Sequence, residues 1–224
     1  MGRVVKQERA LRTRTAILAA AAEVFEERGY QAATITEILT AAGVTKGALY
    51  FHFQSKEELA QGVLAAQDQR LVVPERRSGT QQLVDVVLLH VHRLQCDPMV
   101  RAGVRLSLDQ QARGLDRSGP FRRWGSVVGE LLNRAAVQGE LLSHVRPEES
   151  ADVLVGAFAG VQAMSEAVSG YADLPERVCA LLRHLLPHVV LSSVLAAVDL
   201  SVDRGAAVFA ELTALPAEQG QVAP

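Results

Sequence analysis

The sequence predicts an all-α protein in which a small N-terminal domain is joined by one helix to a larger helical domain. Apolar residues recur at helical spacing along most of the chain, start and stop residues punctuate that pattern, and no run alternates as a half-buried strand would. With 224 residues the chain can bury enough apolar surface to need no disulfide or metal staple.

The elements follow in order. Ile17, Leu18, Ala21, Val24 and Phe25 keep the i, i+1, i+4, i+7, i+8 rhythm of one buried helix face, and Gly29 stops that helix from the C′ position. Thr34-Ile-Thr-Glu37 and Ser55-Lys-Glu-Glu58 are capping boxes, with a hydroxyl at the N-cap and a carboxylate three residues on. Between them Ala41-Ala-Gly43-Val44-Thr45 supplies a turn: Gly43 takes positive φ and Thr45 caps the next short helix. Leu71 to Gly79, with Pro74 and the charges Glu75, Arg76 and Arg77, reads as a mobile linker. Further helices are expected over 80–95, 98–112, 120–138, 147–169 and 175–187, with a terminal group over 190–213. Thr80, Asp97-Pro98, Gly119-Pro120 and Arg146-Pro147 mark starts; Gly139 and Gly170 mark ends. The expected division is 1–54, a connecting helix over 55–72, a second domain over 73–214, and a disordered tail over 215–224.

Composition narrows the function classes. Hydrophobic residues make up 49% of the chain, but each apolar run meets a charge or a Gly before membrane-spanning length, so no transmembrane helix is expected. The N-terminus is charged where a secretory signal needs an apolar stretch, which points to the cytoplasm. Cys96 and Cys179 lack Cys-x-x-Cys spacing and are expected as buried free thiols. A net charge of −2 and a pI near 6.3 mean that any nucleic-acid contact must be local. Residues 1–22 hold Arg3, Lys6, Arg9, Arg12 and Arg14 against Glu8, five positive charges less one negative, or +4. That segment is either a solvated basic tail or an arm that reaches phosphates.

No catalytic constellation stands out. His90 and His92 are two apart and share no helix face, while His184 and His188 flank Pro187, which disturbs their register. Ser107 and Asp109 have no nearby histidine, and neither a phosphate-cradling Gly loop nor a nucleophile elbow occurs. An enzyme is not expected, nor are a metal or a cofactor.

Residues 34–53 read as two short helices joined by a tight turn and held from inside by Ile35, Ile38, Leu39, Val44 and Leu49. That is helix-turn-helix geometry, in which the first turn of the second helix meets base edges. Lys46 sits there, Gly47 lets the backbone approach closely, and Tyr50 and His52 can bond phosphate oxygens; Thr34, Thr36 and Thr45 complete the candidate face. Gly43-Val-Thr-Lys-Gly-Ala-Leu-Tyr-Phe-His-Phe-Gln-Ser-Lys-Glu-Glu-Leu59 strongly resembles the helix-turn-helix core of the TetR family of repressors. The resemblance implies a phosphate contact for Lys56 at the start of the fourth helix. The basic arm, Arg9 and Arg12 included, would lie beside the same DNA.

The resemblance extends into the second domain. Val100-Arg-Ala-Gly-Val-Arg-Leu-Ser-Leu-Asp109, Gly114-Leu-Asp116, Gly119-Pro-Phe-Arg-Arg-Trp124, Phe158-Ala-Gly-Val-Gln162 and Ser193-Val-Leu-Ala-Ala-Val-Asp-Leu200 are similar to the actinobacterial γ-butyrolactone autoregulator receptors, a branch of that family. This implies a Trp124 ring lying against a lactone and Gln162 on a pocket wall, with Leu88, Val128, Val155 and Phe158 as apolar lining. Each of these also reads as plain core. Gly156 and Gly160, and the segment from Val189 to Leu200, fit either a homodimer interface or packing within the chain. The implied protein is a cytoplasmic, homodimeric repressor released from palindromic operator DNA by a γ-butyrolactone or butenolide, controlling antibiotic production. A pseudo-receptor answering to antibiotics, and a lactone-processing enzyme, remain as alternatives.

Overall fold

The computed structural model describes residues 2–67, 74–109, 112 and 114–214, with side chains from residue 7 onward. The side chains of Arg3 and Lys6, residues 71–73 of the expected linker and the expected tail lie outside them. The described residues form eleven α-helices: α1 (Gly2–Ala32), α2 (Ile35–Ala42), α3 (Lys46–His52), α4 (Lys56–Ala66), α5 (Gly79–Cys96), α6 (Pro98–Leu108), α7 (Ser118–Val137), α8 (Pro147–Ser169), α9 (Leu174–Leu185), α10 (Ser192–Leu195) and α11 (Arg204–Ala214). No strand occurs among them, only a single antiparallel bridge between Leu141 and Val190.

Packing groups the chain into two compact units. The first spans residues 1–71 and 97–121, so α6 and the segment after it pack with the N-terminal helices although they follow α5 in sequence. Its core is built from Ile17, Phe25, Ile38, Leu49, Phe53 and Leu59, with Leu106 and Leu115 entering from the later segment. Gly29 breaks α1 at φ 74°, ψ 169°, after which one more turn runs to Ala32. Arg101 on α6 pairs with Glu26 of α1 at 2.5 Å, and Arg105 donates to the Glu26 carbonyl near that break. On α6, Gly103 lies against the buried side chain of Gln67, so α4 and α6 approach closely.

Local punctuation behaves largely as the sequence predicts. Thr34 accepts from the Glu37 amide, and the Glu37 carboxylate accepts from Thr34 N at 2.9 Å, completing the reciprocal box. Those bonds hold the Glu37 carboxyl below its usual range. At α4 the box differs: Ser55 accepts from the Glu58 amide, but the Glu58 carboxylate takes the Gln54 amide, one residue before the cap, at 2.5 Å.

The second unit spans residues 72–96 and 122–224. Nearly every residue of α5 from Gly79 to Leu94 is buried, whichever way it faces, which makes α5 the interior helix of this unit. Gly79 touches the Ala135 backbone of α7, and Gly205 of α11 touches the Leu88 carbonyl of α5; a Cβ at either would meet backbone atoms under 3 Å away. Glu140 caps α5 from a distance, accepting from Ser78 Oγ, Thr80 N and Thr80 Oγ1. Buried Asp85 accepts from both Arg76 and Arg204, and Arg76 also forks onto Glu211.

Several expectations need correction. α6 ends at Leu108 rather than at 112, because Ala112 and Leu115 turn back into the first core. After α9, Pro187 cannot donate to a continuing helix, so a 3₁₀ turn over Leu186–His188 follows, and the terminal group reduces to α10 and α11. Cys179 is buried but Cys96, at the last position of α5, is exposed. By length and composition alone α8 could cross a membrane, but its apolar run between Asp152 and Glu166 is interrupted by Gly156 and Gly160, so it is no clear span.

Candidate functional sites

The outward face of the first unit is set by α2, the turn and α3. Gly43 occupies the left-handed region (φ 62°, ψ 31°), and Thr45 caps α3 through the Ala48 amide at 3.3 Å. With Leu49 and Phe53 pinned in the core, the rest of α3 must face away. Lys46, Gly47, Tyr50 and Phe51 are exposed, as are Thr34, Thr36 and Thr45; His52 is half-buried. Lys46 Nζ stands 5.9 Å from the centre of the Tyr50 ring, one turn along. Nothing described lies within 4 Å of a Cβ built on Gly47, so the backbone there is open to close approach.

Lys56 is already engaged. Its ammonium donates to the Gln31 carbonyl at 3.1 Å and lies over the Tyr30 ring at 4.7 Å, and burial draws its pKa down. Burial and a hydrogen bond to Glu57 push the Tyr30 hydroxyl up to about 12. Arg12 pairs with Glu8 at 2.9 Å, and Arg9 is exposed. Arg14 stacks over Phe53 at 5.0 Å.

In the second unit two of the expected ligand residues, Trp124 and Phe158, meet a residue the sequence did not nominate. The His90 ring lies 4.6 Å from Trp124 and 5.6 Å from Phe158, so α5, α7 and α8 meet in one aromatic cluster. Val128 is one turn from Trp124 on α7, and Val155, Phe158 and Gln162 share a face of α8 at i, i+3, i+7. Leu88 is elsewhere: its carbonyl faces Gly205, and His92, one turn on, packs its ring 4.9 Å from Phe209 of α11. It therefore belongs to the α11 side of α5, opposite His90.

His90 Nδ1 in this cluster, and Gln162 Oε1 one turn along α8 from Phe158, are buried without a hydrogen-bond partner among the described residues. Leaving such an atom unsatisfied costs about 1–3 kcal/mol. Burial, with the charge of Arg93 a smaller cause, drives the His90 pKa down to about 3, so the imidazole is neutral at physiological pH.

Residues 17–63 match the family described as bacterial regulatory proteins, tetR family. The A-factor receptor protein of Streptomyces griseus is 39% identical over 86% of this chain and 69% of its own. The chain belongs to the TetR family. Full-length TylP, a TetR regulator from Streptomyces fradiae, superposes with a TM-score of 0.81 at 46% identity, covering 93% of both chains. A γ-butyrolactone receptor described as ArpA-like superposes at 0.66 and 29% identity, covering 91% of this chain and 99% of its own.

For a TetR-family chain, the sequence reading missed two residues. Phe51 is 76% exposed on α3, beside a groove of about 520 Å³ shared with Leu11 and Arg14. It stands two residues from buried Leu49 and therefore on the opposite side of α3. His90 fits no catalytic or metal-binding pattern in the sequence; its place amid Leu88, Leu89 and Val91 is the signal that it is buried.

Proposed function

We propose that this chain is a homodimeric repressor that holds palindromic operator DNA and releases it when a γ-butyrolactone or butenolide binds around Trp124, controlling antibiotic production in the cytoplasm. The observation that carries the reading is that likeness to the A-factor receptor spans 86% of the chain and so extends well beyond the helix-turn-helix. The aromatic cluster of His90, Trp124 and Phe158 supports it with flat apolar faces that suit a lactone ring and its alkyl chain.

On this reading Lys46 reads base edges while Tyr50, His52 and Lys56 position α3 on phosphates, with Thr34, Thr36, Thr45 and Gly47 lining the approach and Arg9 and Arg12 beside it. Lys56 must exchange its bond to Gln31, or share it, to reach DNA. Trp124, Phe158, Val128, Val155 and Gln162 line the ligand site, and Leu88 supports it from behind. The domain roles follow: DNA reading by 1–54, connection by 55–72, ligand binding and dimerisation by 73–214.

Homodimerisation is supported by α8, whose Val153, Gly156, Gly160, Met164 and Val168 form an exposed apolar stripe at helical spacing. A second copy covers such a face, and a two-fold dimer matches half-sites about 34–36 Å apart. Release follows from linkage: a ligand that prefers the DNA-incompetent arrangement weakens DNA binding by the factor that DNA weakens its own. α6 is a suitable carrier, being packed on α4 at Gly103 and followed in the chain by α7, which bears Trp124.

The test is a mobility-shift titration of an operator, selected from random duplexes, with a panel of γ-butyrolactones and butenolides. At least one should release the DNA unchanged in structure, and Trp124→Ala should blunt that response. A panel without effect overturns the lactone reading; an equal response in both proteins overturns the role of Trp124.

A further inference from the structure

Resting on the lactone reading, we propose that His90 and Gln162 form the polar edge of the ligand site and select a lactone that carries a hydroxyl group over one that carries carbonyls alone. Both side chains are more than nine-tenths buried, His90 at 5% and Gln162 at 6% exposure. Each has an atom without a hydrogen-bond partner among the described residues. His90 meets Trp124 and Phe158 by direct ring contact, and Gln162 stands one helical turn from Phe158 on the same face of α8. Interiors rarely keep such atoms without a reason, and two of them, one in the aromatic cluster and one a helical turn from it, point to a partner that arrives from outside the chain.

The chemistry of the two atoms narrows that partner. Gln162 Oε1 is an acceptor and needs a donor. A lactone ring and an acyl ketone are acceptors only, so neither satisfies it. The imidazole of His90 is neutral and has one N–H and one lone pair. A hydroxyl donates and accepts through one atom and serves either neighbour. An ammonium group would have to shed its water in a ring-lined site that already feels the positive charge of buried Arg93, with no carboxylate among the described ring contacts. The ligand class is therefore a neutral hydroxy-lactone, its alkyl part against the rings and its hydroxyl toward His90 and Gln162.

The experiment uses the full-length protein and two γ-butyrolactones with one carbon skeleton, a 2-(1-hydroxyalkyl) and a 2-acyl form, differing only in hydroxyl against ketone. Binding is measured by titration and by the shift in melting temperature. The native protein should bind the hydroxy form about ten-fold more tightly or better. His90→Phe, which keeps a ring against Trp124, and Gln162→Met should each bring the two affinities to within about two-fold by weakening the hydroxy form. Both variants should also melt higher than the native protein without ligand, since each removes a buried unsatisfied atom. A native protein that binds both forms equally, or variants that keep the ten-fold preference, overturn the proposal while leaving the lactone reading standing. If neither form binds the native protein or releases its operator, the lactone reading falls and takes the proposal with it. Should His90→Phe fail to fold, Gln162→Met decides the matter alone.

Discussion

In the first unit the side chains closed off from water are almost all apolar, Ile17, Phe25, Ile38, Leu49, Phe53 and Leu59 among them, and the polar chemistry lies outside on α2 and α3. In the second unit Thr80, Gln82, Asp85, His90, Arg93, Glu140, Gln162 and Ser165 are buried, against only Gln67 and Ser107 among the described residues of the first. An apolar interior holds an outward face in one shape, as a rigid reading head requires. A polar interior that is partly unsatisfied holds less firmly and gains most when a ligand completes it. The difference fits the roles proposed for the two units, recognition of a surface by the first and of an enclosed small molecule by the second.

The sharpest way to break this comparison is at Asp85. Asp85→Asn leaves Arg76 and Arg204 facing each other without their shared carboxylate, and should cost about 3–5 kcal/mol in urea melts. Burial opposes the Asp85 charge, but hydrogen bonds from Arg204, Arg76 and Gln81 outweigh it and hold the carboxyl below its ordinary value. Its stabilisation is therefore complete above the unfolded pKa of about 3.9 and is lost as pH falls through the lower folded value. Native protein should lose this contribution on acidification, and Asp85→Asn should have none to lose. An unchanged midpoint in the variant would mean that the second interior is held by apolar packing, like the first.

Gly205→Ala places a Cβ under 3 Å from the Leu88 carbonyl, where backbone rather than a pliable side chain must yield. About 1–3 kcal/mol of destabilisation is expected, seen in a melt followed by circular dichroism, with α11 first to lose amide protection. Lys46→Ala belongs to the other side of the comparison. It should lose about 1–3 kcal/mol of discrimination between operator and mismatched duplex while the melting temperature stays put; a lowered melting temperature would show that the reading face also supports the core.

Thr34→Ala removes the reciprocal cap of α2 and should cost about 1 kcal/mol of stability, with operator affinity following only as α2 frays. The smallest effect is expected from Arg9→Ala, which should lower the slope of log affinity against log salt by about 0.9 if Arg9 meets a phosphate, and leave it unchanged if Arg9 is merely solvated.

Much of the first unit is legible in the amino-acid order. Gly29, Thr34, Gly43, Thr45 and Ser55 act within a turn of where they stand, and the pattern Ile38, Leu49, Phe53 fixes which side of α2 and α3 is hidden. The candidate ligand site is only half legible. Trp124, Gln162, Phe158, Val128 and Val155 can be nominated only with the help of likeness to a family. Leu88 groups with them in sequence although the α11 side of α5 holds it, and His90 gives no sign of its place beside Trp124.

The sequence alone determined the helices, their caps and the outward face of α3, because these depend on neighbours three or four residues apart, whose spacing the helix itself sets. Tertiary structure alone decided that residues 97–121 pack with the N-terminal helices, that Arg76 and Arg204 converge on Asp85, that His90 meets Trp124, and that the Leu88 carbonyl meets Gly205. Those pairings join residues far apart along the chain, and on a helix buried all round, such as α5, apolar periodicity no longer says which side meets which partner.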